Sequence, residues 1–223
     1  MPVVVSHDPA STTSTETERL RLHAPDGSPS DAERIYGSPG FLFADILHRV
    51  GGIVSLDTPS LSWSSSVDWM TADLTATNQD LVGWRSTPEP SLSATFRYAA
   101  YERESLLYSA ACYHWFRTAT RGHVGRRDPF SGMAPDWVLL SGHGRTLLRN
   151  VPVVVREVSI DLADDVDWSP VEDPIDGRVL MYLPVRFDVR VEMAVVRSPV
   201  VWLTRFSLDR IRTGEIFFEG AWL

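Results

Sequence analysis

Few residues in this chain combine the types and spacing that perform chemistry. The six histidines, His7, His23, His48, His114, His123 and His143, are scattered, and no two fall at metal-ligand spacing on a helix or in a knuckle. Each reads as a satisfied or solvated side chain. Cys112 is the one cysteine, which excludes an intrachain disulfide framework and a multi-cysteine metal site. It falls inside a helical stretch with no obvious activating base and reads as a small core residue rather than a nucleophile. The acidic run Asp161, Asp164, Asp165 and Asp167 invites calcium, but the turn glycine and the closing bidentate glutamate are missing. Aspartates accepting backbone hydrogen bonds in a turn account for it. Glu102 and Glu104 stand two apart on a helix, so their carboxylates diverge. A phosphate loop needs lysine, and all 21 basic residues are arginine. A dinucleotide fingerprint and a Gly-x-Ser-x-Gly elbow are also missing. The residues point away from an enzyme and imply neither metal nor cofactor.

What remains is a pattern rather than a motif. Val185, Phe187, Val189, Val191 and Met193 alternate with Arg186, Asp188, Arg190 and Glu192. A period of two makes this a strand with one dry face and one face of alternating charge. Arg121, Arg126 and Arg127 cluster in the Gly/Pro-rich loop 120–135 and are candidate contacts to an acidic neighbour or nucleic acid. The formal net charge of -8 opposes a grip on DNA phosphates, which needs a basic footprint.

The elements that position these residues follow from periodicity. Residues 91–98 alternate, with Leu92, Ala94, Phe96 and Tyr98 on one face. Residues 102–119 read as a helix carrying Leu106, Ala110 and Tyr113, with Leu107, Ala111 and Trp115, at spacings of three and four. Phe41–Phe43 with Ile46, Leu47 and Val50 form a short amphipathic segment stopped by Gly51-Gly52. Residues 53–98 read as strands with turns, as do 137–141, 145–148 and 151–162. Segments 164–170 and 173–177 read as turns, and 207–213 as a short helix. With 223 residues, 43% of them hydrophobic, one large domain is the expectation. Residues 1–40, rich in Ser, Thr, Pro and Gly, read as an extended arm that is disordered or orders on a neighbour; residues 41–223 form the folded domain. No apolar run approaches the roughly 20 residues of a spanning helix. Met1–Val5 is too short for a signal peptide. The expectation is a soluble protein made in a cytoplasm, with no membrane partner.

The order of parts carries a resemblance. The strand SLSATFRYAAY runs into the helix ERESLLYSAACYHWFRTATR. Then come Pro135-Asp136-Trp137-Val138-Leu139, a strand ending Asn150-Val151-Pro152, and another leading to Asp165-Val166-Asp167-Trp168-Ser169-Pro170. Leu183-Pro184 opens the long strand VRFDVRVEMAVV. Residues 91–200 resemble the tail-tube-fold proteins of contractile phage tails, most of all the tube-initiator or tube-junction proteins of the baseplate. The match rests on element order and on D-V-D-W-x-P and L-P, and residues 1–60 depart from it.

The resemblance implies an α+β, mainly β fold: a β-sandwich or barrel with one flanking helix, whose long hairpins join a barrel shared between subunits. It implies a hexameric ring on the baseplate hub that templates the tail tube, with no catalysis and no cofactor. The partners implied are further copies of this chain, hub proteins on one side, and tube protein or a second initiator ring on the other. DNA passes the lumen without specific binding. The location implied is the baseplate end of the virion tail, assembled in the host cytoplasm. The charged face of the last strand then lines a lumen or an inter-subunit wall. Open alternatives are another tail ring (main tube or terminator protein), a ligand-binding β-sandwich such as a carbohydrate module with exposed tryptophans, and a hydrolase with an unrecognised site.

Overall fold

The computed structural model describes residues 19–25, 29–57, 59–72, 81–88, 90–126, 129–143, 148–162, 165–196 and 207–213. The fold is mainly β, as expected, with more than the one flanking helix that the resemblance implies. Its centre is a seven-stranded antiparallel sheet. In chain order its strands are β1 (Arg21–His23), β2 (Ile53–Val54), β3 (Ser60–Ser64), β6 (Ser91–Ala99), β7 (Trp137–Gly142), β8 (Leu148–Leu162) and β11 (Arg186–Val195). They lie side by side as β2-β1-β7-β8-β11-β6-β3. Two antiparallel ribbons accompany the sheet: β4 (Asp68–Ala72) with β5 (Leu81–Ser86), and β9 (Trp168–Glu172) with β10 (Val179–Pro184).

Among the described residues the helices are α1 (Pro29–Tyr36), α2 (Leu42–Val50), α3 (Arg103–Phe116) and α4 (Leu208–Thr213). Helix α2 ends where the sequence predicts, because Gly51 takes the left-handed φ of 74° and donates its N–H to the Leu47 carbonyl. Helix α3 opens at Glu102, whose N–H is donated to the Ser105 hydroxyl at 3.2 Å. It lays Leu106, Ala110, Ala111, Cys112, Trp115 and Phe116 into the core. Tyr113 and Leu107 stay half-buried. The facing sheet supplies Leu92, Phe96, Tyr98, Val153, Phe187, Val189 and Val191. Tyr98 stacks on Phe187 with ring centres 5.0 Å apart, and Phe96 meets Phe116 at 5.5 Å.

Two sequence expectations are corrected here. Residues 21–23 and 29–36 are not an extended arm. β1 is inserted between β2 and β7, Leu20 and Leu22 are fully buried, and α1 starts with a proline at its first position. Three strand residues are enough when both neighbouring strands complete their hydrogen bonds, and a composition average hides so short an element. Residues 1–18 lie outside the described residues. The second correction concerns 168–172, of which 168–170 were expected as the end of a turn. They form β9, and the turn proper is Asp173–Gly177, where the Gly177 N–H is donated to the Asp173 carbonyl at 2.9 Å.

Candidate functional site

The sheet has two unlike faces. One carries the core and α3. On the other, register brings together the alternate residues of four adjacent strands. Arg190 of β11 stands opposite Thr95 of β6 and Ser159 of β8; Glu192 stands opposite Ser93 and Glu157; Asp188 opposite Arg97 and Asp161. β3 extends the face with Ser60, Ser62 and Ser64, opposite Thr95, Ser93 and Ser91. These positions carry only hydroxyls, carboxylates and guanidinium groups, with no aromatic or aliphatic side chain among them.

Its electrostatics are specific. Arg97 and Asp188 form a cross-strand ion pair at 3.6 Å. Asp188 with Asp161, and Glu192 with Glu157, set like charges directly opposite each other, a destabilising arrangement. Arg190 occupies the strand position between these two pairs, with Glu157 and Asp161 as its diagonal neighbours on β8. Arg190 therefore sits amid four carboxylates, one of which, Asp188, is also paired with Arg97. The opposite face of β11 buries Phe187, Val189, Val191 and Met193. Val185 differs from the alternation: it lies in a bend before the strand, half-buried. Its N–H is donated to the Asp167 carbonyl at 2.9 Å. Arg186 and Arg190 are exposed.

The loop candidates separate. Arg121 and Arg126 are exposed on the connection after α3, while Arg127 lies outside the described residues. The base of this loop is clamped by Asp136, which receives Arg34 of α1 on one oxygen and the His123 ring on the other, the latter at 2.9 Å.

The polar clusters that resemble chemistry resolve into structure. His23 Nε2 lies 3.0 Å from the Ser141 hydroxyl, a nucleophile-like contact. That hydroxyl also donates to Asn150 Oδ1 and accepts the Asn150 N–H, so it ties the end of β7 to the start of β8. His48 bonds the Gly37 carbonyl, and His114 packs on Phe43. No group of three metal-ligating side chains occurs among the described residues. Burial, reinforced by Cys112, raises the hydroxyl pKa values of Tyr98 and Tyr108. Burial likewise pushes the Cys112 thiol up to about 12. A thiol held protonated is a packing group, not a nucleophile.

One feature escapes the periodicity argument altogether. The β4–β5 ribbon carries Trp69 directly opposite Trp84, and they are 58% and 62% exposed. The sequence signal is a tryptophan in each of two short runs, D-W-M-T-A and L-V-G-W-R-S, which looks like ordinary core patterning until the partner strand is known.

No protein-family model matches the chain. No curated protein matches it. Among solved structures, a chain from the tail of an empty GTA particle, computed with helical refinement in C6 symmetry, covers 66% of this chain and 84% of its own length. It shares 10% sequence identity at a TM-score of 0.28, a level at which the likeness carries no argument.

Proposed function

We propose that this chain is a structural subunit of a contractile phage tail, one member of a closed hexameric ring that starts the tail tube at the baseplate. It works by assembly, without catalysis. The observation that carries the reading is the polar sheet face. Around Arg190, four adjacent strands present hydroxyls and mixed charges, bordered by Ala99 and Ala194 at the two ends of the face. A sheet dry on one side and hydrated on the other suits a wall between a protein layer and a water-filled bore. Its carboxylates and the net charge of -8 suit a bore through which nucleic acid slides without adhering. The order of elements over residues 91–200, which resembles tube-initiator proteins, supplies the ring and its place on the hub.

The exposed Trp69–Trp84 pair favours a second reading, a carbohydrate-binding module, because paired indoles stack on sugar rings. Sedimentation and electron microscopy of the purified chain separate the two. Six-membered rings with a central bore are expected. A monomer at high concentration that binds a soluble glycan overturns the tail reading. Within it, tails of normal length after deletion of the gene overturn the initiator role.

A further inference from the structure

The residues that hold β1 in the sheet all follow it in the chain. β1 lies between β2 and β7, with Arg21 opposite both Val54 and Ser141. Leu20, Leu22 and Ala24 are buried at every second position, so they share one face. The Ser55 N–H is donated to the Leu20 carbonyl at 3.1 Å, and the Ala24 N–H to the Tyr36 hydroxyl at 2.7 Å. Two glycines shape the seat to the backbone of this segment. A Cβ on Gly52 would stand 2.5 Å from the Leu22 carbonyl oxygen, and one on Gly142 would stand 2.9 Å from that of Arg19. β2 and β7 therefore form a slot for an extended chain that carries Leu, Leu and Ala at alternate positions.

The tether of β1 to the rest of its own subunit is short. Five residues, 24–28, separate it from α1, and prolines stand at 25 and 29. Pro25 biases Ala24 towards extended backbone. A short connection that resists tight reversal favours exchange of the element beyond it. Helix α1 stays with its own subunit, because the Trp115 indole N–H is donated to the Ile35 carbonyl at 2.8 Å and Arg34 is paired with Asp136. Without β1 the slot is a pair of open strand edges, which another extended chain satisfies.

We propose that in the assembled form residues 19–24 of one copy fill the β2–β7 slot of the next, each copy giving one strand and receiving one. The occupant is a second copy's segment because this is the segment the slot fits, and a strand makes the same contacts whichever copy supplies it. Strand and slot are different surfaces, so the contact is heterologous and closes into a ring where the rotation allows. The proposal rests on the self-assembly in the preceding reading, not on the tail, the hub or the polar face.

Cross-linking across the β1–β7 register tests it. Arg21 and Ser141 are directly opposite and half-buried. The Cα atoms of such pairs lie about 4.5–5.5 Å apart, within reach of a disulfide. Cys112 is fully buried and stays out of the reaction. In the assembled protein, Arg21→Cys with Ser141→Cys in one chain is expected to give a ladder of disulfide-linked oligomers under mild oxidation. Arg21→Cys chains co-assembled with Ser141→Cys chains are expected to give linked pairs, and neither single variant alone any. Arg21→Cys with Val54→Cys, across the other neighbour of β1, reads the same contact should Ser141→Cys fail to fold. An oligomer whose double variants close only intramolecular disulfides overturns the exchange and leaves the ring reading standing, as do linked dimers from either single variant alone. A ladder in an open filament or a dimer upholds the exchange and overturns the ring. An unaltered chain that stays monomeric overturns both.

Discussion

Tyr108 closes an edge of the sheet: its hydroxyl accepts the Val54 N–H at 2.7 Å and donates to the Gly52 carbonyl at 3.1 Å. β2 is the outermost strand on that side, and an unpaired strand edge is a template for unwanted pairing. A helix side chain thus completes what an eighth strand would otherwise supply. The opposite edge, β3, leads directly into the exposed β4–β5 ribbon.

Tyr108→Phe keeps the ring and removes the hydroxyl, leaving a buried N–H without its partner. A loss of about 1–3 kcal/mol is expected, the usual cost of such an orphan. Urea unfolding of the two proteins measures it. A change within experimental scatter would mean that water or the backbone replaces the hydroxyl.

The buried Tyr98–Tyr108–Cys112 cluster sets the alkaline limit of the fold. Below pH 9.0 the thiol is protonated in both folded and unfolded chains and contributes no pH dependence. Above it the unfolded chain releases the proton while the folded chain holds it until about 12, so stability falls as pH rises through this window. Tyr98 and Tyr108, raised above 10.0, add a fall of the same sign at higher pH. Cys112→Ala is expected to flatten the decline between pH 9.0 and 10.0, measured by denaturant unfolding. An unchanged slope would assign the decline to other groups.

The elements that were legible in sequence are those with a long single period. β11 shows its alternation over ten residues, and α2 carries its own stop in Gly51. What escaped depends on partners distant in sequence. β1 is three residues long and holds because β2 and β7 flank it, which no local pattern reveals. The like-charge pairs Asp188–Asp161 and Glu192–Glu157 follow from register, which a strand's own period leaves free. Trp69 and Trp84 stand in separate short runs, and only the pairing of β4 with β5 brings them onto one exposed face.

Helix α3 anchors the sheet through its buried face. Leu106 is buried there, and Leu106→Ala is expected to cost about 2–5 kcal/mol through lost transfer energy and the cavity left behind. Thermal or urea unfolding gives the value. A loss below roughly 0.5 kcal/mol, the range of surface substitutions, would mean the helix end relaxes into the space.

Arg186 and Arg190 share an alternating pattern but not a role. Arg186 opens β11 opposite Ala99, at the margin of the face, whereas Arg190 is surrounded by Glu157, Asp161, Asp188 and Glu192. The sequence pattern alone predicts that both arginines can be reversed to glutamate without harm to the fold; the register separates them. Arg190→Glu would set a fifth carboxylate among four. It is expected to destabilise the isolated subunit by about 1 kcal/mol, the scale of opposed like charges in a sheet. Part of that loss should return at high salt, which screens exposed charge. Arg186→Glu is expected to leave the unfolding midpoint unchanged. Assembly is the second readout, followed by sedimentation at matched concentration. If the polar face lines a bore shared by several copies, Arg186→Glu weakens the oligomer although each subunit is intact. An oligomer indifferent to Arg186→Glu, combined with a subunit indifferent to Arg190→Glu, would place this face in open solvent and remove it from the wall.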